Sequence, residues 1–430
     1  MTTGLIALAA VLVLAFLRVP LAFSLLTVSL VGIASILGTD ASLTMLSMTI
    51  SEAVFSYELA VVPLFILMGN ILSRTGISAD LFKAANAYLG HVRGGLALST
   101  MVTCSGFSAV CGSSLATAAT MSKVAYPSMK RYGYSDSLAS ATIAAGGTLG
   151  ILIPPSIILM IYGILTQTNI GHLFIAGIVP GVLGLVFYMA AIYVIARVNP
   201  NAAPKGEKTS NRERFKTLSG VWPFCLLFLL IIGGIYAKIF TATEAAGMGA
   251  GFALIIALVQ GRMSKSDFKK IFLDSAFTSV MLYSVLFGAM LFAKLIAFSG
   301  LGESLLSAVE QAELTSYQLI FAILLVFLLL GCVMDSLAII LICVPLFAPI
   351  IIANDFDLIW FGIIVVVVTE IALITPPIGM NVFVIKATLP HVAFKDIFKG
   401  LIPFIGVDLV RLVLLIVFPA LTLQMVHWMQ

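Results

Sequence analysis

Charged residues are scarce in this chain of 430 residues: Asp, Glu, Lys and Arg make up 10% of it, while hydrophobic residues make up 61%. Because soluble domains carry roughly 25% charged residues, the composition excludes an ordinary soluble protein. Apolar runs of about 20 residues recur along the sequence, and such runs are typical of membrane-spanning helices. We therefore predict an all-α polytopic membrane protein that crosses the lipid bilayer several times.

Other features are missing as well. The apolar runs lack the alternation of apolar and polar residues that marks the strands of a membrane β-barrel, so a barrel is excluded. The first basic residue is Arg18, so the chain lacks the positive start of a cleaved signal peptide, and we expect a mature first helix. The net charge of +4 gives no indication of nucleic-acid binding.

Catalytic and metal-binding motifs are also lacking. The four histidines fall at predicted segment ends, the five cysteines show neither disulfide nor metal spacing, and His-Glu-x-x-His does not occur. An intramembrane protease would need a buried histidine beside a serine, paired aspartates or such a zinc motif. We therefore predict neither an enzyme nor an organic cofactor, and the protease is kept only as a rival hypothesis.

What the chain does contain is an internal repeat. Residues 111–156 and 333–378 are two copies of one pattern, offset by 222 positions without a gap: Ser114 matches Ser336, and Pro154-Pro155 matches Pro376-Pro377. Paired, interrupted segments in two halves of a membrane protein are typical of a transport site at the interface of the repeats. The alternative is a duplication whose traces have no present role.

The flanking charges predict how each copy enters the membrane. Lys and Arg mark cytoplasmic loops, and the stretch 94–122 lies between Arg93 and Lys123. Because this stretch is too short for two complete spans, we interpret it as a re-entrant hairpin that opens to the cytoplasm. The stretch 315–353 lies between acidic loops that lack Lys and Arg, so we interpret it as a hairpin that opens to the outer side.

Two hairpins that enter from opposite faces define an inverted-topology repeat. On this path all but Lys238, Lys294 and Arg411 of the 23 basic residues lie inside, and both termini lie outside. The predicted division of the chain is 1–93 for scaffold helices, 94–197 for the first transport repeat (hairpin 94–122, broken helix 136–168), 198–314 for a cytoplasmic linker and second scaffold segment, and 315–430 for the second transport repeat (hairpin 315–353, broken helix 357–388) and a last helix.

Three stretches outside the repeats are amphipathic. They are predicted either to lie along the membrane surface or to form ordinary connecting helices. They are 40–57, 77–92 and 262–274.

The hairpin tips and the double prolines provide the groups that we expect to bind ions and substrate. Proline removes an amide donor and interrupts a helix, and an interrupted helix exposes carbonyls at one end and amides at the other. Carbonyls, hydroxyls and one carboxylate form a hard oxygen cage for a small cation such as Na⁺. Amide ends of half-helices can hold an anion without a basic side chain, and neither tip contains Lys or Arg.

We therefore predict that ions and substrate bind where the two tips meet the two breaks. The alternative for the small residues is close helix packing. The candidate residues are Ser108, Gly112, Ser113, Ser114, Gly147, Thr148, Gly150, Pro154, Pro155 and Ser156 in the first copy, and Gly331, Asp335, Ser336, Glu370, Thr375, Pro376, Pro377, Gly379 and Asn381 in the second.

Charges inside a membrane are costly and point to function by default. Asp335, at the second tip, is predicted to bind a cation or to cap a helix. Glu370 aligns with Thr148 in the repeat and is predicted to support the ion site. Asp408 and Arg411 lie three positions apart on one predicted helix, which favours a structural ion pair.

Several motifs together resemble the large membrane subunit (the M, or DctM-like, subunit) of tripartite ATP-independent periplasmic (TRAP) transporters. Cys111 is a minor departure, since the family often has Ser or Gly there. The motifs are Pro63-Leu64-Phe65-Ile66-Leu67-Met68-Gly69-Asn70, Cys111-Gly112-Ser113-Ser114, Leu152-Ile153-Pro154-Pro155-Ser156 with Tyr162-Gly163, Thr241-Ala242-Thr243-Glu244-Ala245-Ala246, and Thr375-Pro376-Pro377-Ile378-Gly379-Met380-Asn381.

The resemblance implies an elevator-type fold of the ion-transporter superfamily in the bacterial inner membrane. It implies uptake of an organic acid, commonly a C4-dicarboxylate or sialic acid, driven by a Na⁺ gradient. A periplasmic binding protein would deliver the substrate, and a small four-helix membrane subunit, expected here as a separate chain, would complete the frame. A channel remains a rival, which unitary currents would reveal.

By the same resemblance, the substrate would sit between the two tips, and each tip with its break would hold Na⁺. The implied Na⁺ sites are Gly112, Ser113, Ser114 and Thr148 in the first copy, and Asp335, Ser336, Thr375 and Gly379 in the second.

Overall fold

The fold is built entirely of helices in the computed structural model, which describes residues 2–429. Within that range there are 21 α-helices, two short 3₁₀-helices (Glu58–Ala60 and Leu149–Ile151) and no β-strand. A helix satisfies all of its backbone donors and acceptors internally, which is what a chain in hydrocarbon requires. The predicted all-α fold is therefore confirmed.

The helices of the first half are α1 (Thr2–Phe16), α2 (Leu21–Leu37), α3 (Thr39–Val54), α4 (Val61–Arg74), α5 (Ile77–Leu89), α6 (Gly95–Cys111), α7 (Ser114–Val124), α8 (Tyr126–Arg131), α9 (Asp136–Thr148), α10 (Ile157–Thr166) and α11 (Ile170–Val198). Those of the second half are α12 (Asn211–Tyr236), α13 (Ala242–Val259), α14 (Lys265–Phe298), α15 (Leu301–Gln311), α16 (Ser316–Gly331), α17 (Ser336–Ala353), α18 (Leu358–Ile374), α19 (Met380–Thr388), α20 (Phe394–Val417) and α21 (Ala420–Met429).

Both copies of the repeat fold in the same way. Helices α6 and α7 form the first hairpin, and α16 and α17 form the second. The helix after each hairpin is interrupted, between α9 and α10 in the first copy and between α18 and α19 in the second. Each interruption contains the double proline, and both Pro-Pro bonds are cis. The predicted hairpins and broken helices are thus confirmed, with boundaries shifted by a few residues.

Six helices in the described part of the chain are long and apolar enough to cross a membrane: α11, α12, α13, α14, α17 and α20. A seventh span results if α3 is taken together with residues 58–74, which follow it at an angle of 65°. Two of the amphipathic stretches fold as separate helices, α3 and α5. The chain is therefore a multi-pass membrane protein.

The third amphipathic stretch, 262–274, is not a separate helix. Its residues from Lys265 onward are the first turns of α14, which runs without a break for 34 residues. No proline interrupts this segment, so nothing stops helix propagation. At 1.5 Å per residue, α14 is about 51 Å long, longer than the roughly 30 Å hydrocarbon layer. Its polar first turns can therefore extend beyond the membrane.

The helices pack in two groups. In the first, which we call the frame, α14 packs against α2, α3 and α4, while α13 packs against α4. In the second, which we call the core block, α20 packs against α9, α11 and α18. The hairpins belong to the core block, because α6 and α7 pack on α9, and α16 and α17 pack on α18. This arrangement puts each tip beside the break of its own copy and the first tip beside the start of α19.

Candidate functional site

Four helices begin at the tips and the breaks. Helices α7 and α17 start immediately after the hairpin tips, and α10 and α19 start immediately after the interruptions. The first turn of each helix has backbone N–H groups without a partner inside the helix, and these groups carry a partial positive charge. The centre of the core block thus combines amide ends with carbonyl ends of the preceding helices.

The two tips are capped at equivalent positions. The hydroxyl of Ser113 accepts a hydrogen bond from the amide of Ala116 at 3.3 Å. The carboxylate of Asp335, 222 positions later, accepts one from the amide of Ala338 at 3.4 Å. Asp335 is therefore a helix cap, as one of the two sequence interpretations proposed. A carboxylate has two oxygens with several lone pairs, so capping and cation binding are compatible.

Each hairpin packs closely on the broken helix of its own copy. A Cβ added to Gly147 would lie 3.1 Å from the carbonyl oxygen of Ser114, and one added to Gly331 would lie 2.5 Å from the Cβ of Ala372. These contacts hold the tips against the interruptions. Gly147 and Gly331 therefore fit the close-packing interpretation of small residues, whereas Gly112 and Gly379 have positive φ, a conformation that favours glycine.

The first interruption is enclosed. Pro154, Pro155 and Ser156 are all buried, and the Ser156 hydroxyl donates to the carbonyl of Ile151 and accepts from the amide of Leu159 at 3.2 Å. A Cβ on Gly150 would lie 2.2 Å from the Cβ of Ser108, so only glycine lets α6 approach the interruption this closely. The Ser108 hydroxyl itself donates to a carbonyl of its own helix.

The second interruption is open by comparison. Pro376 and Pro377 are exposed, whereas their counterparts in the first copy are buried. The hydroxyl of Thr375 donates to the carbonyl of Ile371 at 2.6 Å. The amide of Gly379 donates to the carbonyl of Cys332 at 3.3 Å, which ties this interruption to the second hairpin tip. The double proline is therefore buried in the first copy and exposed in the second.

Asn381 connects the two copies. Its side chain is fully buried; its Oδ1 accepts a hydrogen bond from the Ser114 hydroxyl at 3.1 Å, and its Nδ2 donates to the carbonyl of Ala144 at 3.0 Å. The equivalent position in the first copy is Leu159, so this contact has no symmetric partner. The start of α19 thus meets the second tip through Gly379 and the first tip through Asn381.

A cavity lies beside the second tip. Its volume is about 540 Å³, and Asp335 and Leu337 line it on one side, while residues of α2 and α14 line it on the other. Ser336, the first residue of α17, is half-buried next to them. The carboxylate of Asp335 therefore faces a space between the core block and the frame.

Thr148 and Glu370, the equivalent residues of the two copies, point to one buried cluster. The Thr148 hydroxyl donates to the carbonyl of Ala145 at 2.7 Å and lies 3.4 Å from the hydroxyl of Tyr188. Tyr188 donates to Asp408. Arg411 donates to Glu370 and pairs with Asp408 at 3.0 Å. The predicted ion pair of Asp408 and Arg411 is present, and Glu370 joins it.

Tyr188 and Gly184 are not among the residues predicted from the sequence. A Cβ on Gly184 would lie 2.0 Å from Nη1 of Arg411, so the guanidinium occupies the place of a side chain on α11. The equivalence of Thr148 and Glu370 in the repeat was the sequence signal that both residues lie near one buried cluster. Tyr188 has no motif of its own, because its role depends on how α11 packs against α20.

Two further charged residues, Glu244 and Lys294, make structural contacts. Glu244 and Thr241 form a capping box at the start of α13, and Lys294 donates to Thr49 at 2.9 Å beside Glu52. No group of three or more His, Cys, Asp or Glu side chains that could hold a metal occurs among residues 2–429. The oxygens at the tips and interruptions are carbonyls, hydroxyls and Asp335, a donor set that fits a hard cation such as Na⁺.

Two solved transporters share this fold. The YdaH transporter of Alcanivorax borkumensis aligns with a TM-score of 0.63 at 13% sequence identity and covers 89% of each chain. The MtrF antimetabolite efflux pump of Neisseria gonorrhoeae aligns with a TM-score of 0.59 at 12% identity, covering 89% of this chain and 85% of its own. At these identities the likeness concerns the fold alone, which is that of a membrane transporter.

The chain belongs to the family described as the DctM component of tripartite ATP-independent periplasmic transporters, whose family model matches residues 8–421. It is similar to the C4-dicarboxylate TRAP transporter large permease protein DctM of Pseudomonas aeruginosa, with 37% identity over 89% of this chain and 90% of the relative. It is also similar to the ectoine large permease TeaC of Halomonas elongata, with 34% identity over 94% of each. The sialic acid large permease SiaM of Vibrio cholerae shares 30% identity over 95% of each chain.

Membership in this family confirms several predictions. The chain is a TRAP large permease and not an enzyme. It is a multi-pass protein of the inner membrane, and large permeases of this family work with a small membrane subunit and a periplasmic binding protein.

Proposed function

We propose that this chain imports an organic acid anion across the bacterial inner membrane and couples the import to Na⁺. The substrate class is that of C4-dicarboxylates or sialic acid, which the names of two relatives give as their substrates. A periplasmic binding protein would deliver the substrate, and a separate small membrane subunit would complete the frame. Both termini would lie on the periplasmic side, as the distribution of basic residues indicates.

The observation that carries this proposal is the convergence of both tips on the start of α19. Gly379 contacts the second tip and Asn381 contacts Ser114 of the first. Because neither tip has a basic side chain, a carboxylate bound here would rest on amide ends, hydroxyls and a bound cation. If the anion binds only when a cation balances its charge, binding of the anion is coupled to binding of the cation.

The transport cycle follows from these parts. Na⁺ would bind to carbonyl and hydroxyl oxygens at the tips, with Asp335 supplying a negative charge at the second tip. The anion would then bind between the tips. The core block would slide along the frame as one body. It would then release Na⁺ and the anion into the cytoplasm. The cavity between Asp335, α2 and α14 lies at the boundary between the two groups.

The membrane potential sets a condition on stoichiometry. Moving one net charge through 100 mV is worth about 2.3 kcal/mol. Two Na⁺ with a monoanion would move one net positive charge inward and gain this energy. A dianion would need more than two Na⁺ to gain from the potential.

The test is uptake into proteoliposomes that contain this chain with its small membrane subunit and the periplasmic binding protein. Labelled C4-dicarboxylates, sialic acid and ectoine should be offered under an inward Na⁺ gradient and, as the control, an equal K⁺ gradient. We expect saturable uptake of one compound class with Na⁺ only. Equal uptake under both gradients would contradict Na⁺ coupling, and unitary currents would indicate a channel.

A further inference from the structure

A cluster of buried ionisable side chains lies behind the substrate region. It consists of Tyr188 on α11, Glu370 on α18, and Asp408 and Arg411 on α20, and we call it the Arg411 cluster. All four side chains are fully buried. The proposed cycle of Na⁺ and substrate does not use them.

The charges of this cluster do not balance. Two carboxylates and one guanidinium leave one net negative charge if all three groups are ionised. A buried, uncompensated charge inside a membrane protein is strongly unfavourable. Removing that charge requires one cation or one proton in the cluster.

Neighbouring helices do not supply the missing positive charge. Twelve residues of helix separate Arg411 from Lys399, which is about 18 Å along the axis. The remaining ionisable groups on the elements that pack here lie near the ends of their helices or just beyond, except for Tyr162, which can carry no positive charge and whose hydroxyl donates to the carbonyl of Leu358. They are Asp136 on α9, Tyr162 on α10, His172, Tyr193 and Arg197 on α11, Asp357 before α18, Lys386 on α19, Lys395, Asp396 and Lys399 on α20, and His427 on α21.

The contacts within the cluster show which carboxyl has fewer donors. Asp408 accepts from Tyr188 through Oδ2 and faces Nη2 of Arg411 at 3.0 Å through Oδ1. Glu370 contacts the same Nη2 through Oε2, and its buried Oε1, like Oδ1 of Asp408, has no hydrogen-bond partner. Nε and Nη1 of Arg411 have none either. A single nitrogen is thus shared by two carboxylates. Asp408 has a second contact, from the Tyr188 hydroxyl, which Glu370 lacks, so Glu370 is less stabilised as an anion.

We propose that the Arg411 cluster is a proton-binding site, in which Glu370 holds one proton while Asp408 and Arg411 form the ion pair. The proton comes from water and bonds to a carboxyl oxygen of Glu370, so the cluster becomes electrically neutral. A neutral cluster adds no charge of its own to those that the core block carries through the membrane. The site is independent of which anion or cation is transported.

The direct test is infrared spectroscopy of the purified full chain, which detects the C=O stretch of a protonated, buried carboxyl. We expect this band at neutral pH in the wild type. It should disappear in Glu370→Gln, where no acid remains. It should also disappear in Asp408→Asn, because removing one negative charge lets Glu370 ionise against Arg411. Glu303→Gln, on the exposed face of α15, is the control and should keep the band.

Each outcome of the infrared measurement either supports or overturns the proposal. A wild type without the band, or a band that survives Glu370→Gln, would overturn the proposal. A band that survives Asp408→Asn would overturn the charge-balance argument on which it depends. Loss of the band in both variants, with the band retained in Glu303→Gln, would support it.

Stability as a function of pH gives a second measurement. An exposed Glu370 in the unfolded chain has released its proton at neutral pH, whereas the folded chain would still hold it. The folded state then binds one more proton, so the unfolding equilibrium constant should rise about tenfold per pH unit. The thermal midpoint of Glu370→Gln should lack this part of the pH dependence, while Glu303→Gln should follow the wild type. Parallel curves for all three proteins would contradict the proposal.

Discussion

At the scale of single residues, Asp335 combines two roles that substitutions can separate. Its carboxylate caps α17 and faces the cavity between the core block and the frame. An asparagine keeps an oxygen that can cap a helix, whereas an alanine does not. The negative charge is lost in both. A comparison of the two variants therefore distinguishes a cap from a cation ligand.

We expect Asp335→Asn to retain the stability of the wild type and to lose most Na⁺-driven uptake. Asp335→Ala should lose uptake equally and in addition lose about 1 kcal/mol of folding stability, the usual value of an N-cap. Thermal unfolding and uptake into proteoliposomes would be measured on both. Normal uptake by Asp335→Asn would remove the charge from the ion site and leave the residue as a cap.

Gly184 has an equally specific role, which is to leave room for the guanidinium of Arg411. An added methyl group would lie 2.0 Å from Nη1, and the fully buried side chain of Arg411 cannot retreat into solvent. Overpacking of this kind costs about 1–3 kcal/mol. We expect Gly184→Ala to lower the thermal midpoint clearly.

Gly251, on α13, is the matched control. An added Cβ there meets nothing within 4 Å, and alanine favours a helix over glycine by about 1 kcal/mol. Gly251→Ala should therefore be neutral or stabilising. Equal midpoints for the two variants would show that the cluster adjusts to the methyl group.

At the scale of helices, the repeat determines what the sequence can and cannot predict. The double prolines and the tip serines define local backbone, so both hairpins and both interruptions could be located from the sequence. Contacts that break the symmetry could not, because the repeat alignment equates Asn381 with Leu159 and gives no reason for a bond to Ser114. The Arg411 cluster was only partly visible, since its members come from three helices that pack together after folding.

The bond between Ser114 and Asn381 joins the first hairpin to α19, so a double-mutant cycle can measure its contribution to Na⁺ binding. We expect Ser114→Ala to raise the Na⁺ concentration for half-maximal transport about three- to tenfold, equivalent to roughly 0.5–1.5 kcal/mol for one hydrogen bond. Asn381→Ala should have a similar or larger effect. The double variant should be no worse than Asn381→Ala, because both changes remove the same contact.

Ser122→Ala is the control for this cycle. Ser122 lies on the same helix as Ser114 and is also buried, but its hydroxyl donates to the carbonyl of Ala118. Its Na⁺ curve should match the wild type. Strictly additive effects of Ser114→Ala and Asn381→Ala would mean that the two side chains act separately.

At the scale of the whole molecule, the core block is tied together by contacts that cross from one repeat to the other. Asn381 meets Ser114 and Ala144 at the tips. The Arg411 cluster joins α11, α18 and α20 behind them. At the start of α9, Tyr126 contacts both Asp136 and His391 at 2.7 Å. Links at three separate places favour movement of the block as one body, which an elevator mechanism requires.

The frame and the core block meet where α14 packs on α17 and α4 packs on α6, and a cavity lies between the two groups at Asp335. In a tripartite transporter, the small membrane subunit would stabilise the frame, and the binding protein would supply substrate at the outer surface. On the proposed function, a carrier that lacks these partners would retain its ion site but lose delivery of the substrate. Ion binding and net uptake should therefore respond differently to removal of the partners.

We expect the purified chain alone to gain thermal stability on addition of Na⁺ but not of K⁺, while its uptake in proteoliposomes stays below about a tenth of the full system, equivalent to roughly 1.4 kcal/mol. Adding the small membrane subunit and then the binding protein should restore uptake in two steps. Asp335→Asn should remove the Na⁺ stabilisation of the chain alone, which shows that the ion site belongs to this subunit. Full uptake by the chain alone would contradict dependence on partners, and Na⁺ stabilisation that appears only with the small subunit would place the ion site between the two chains.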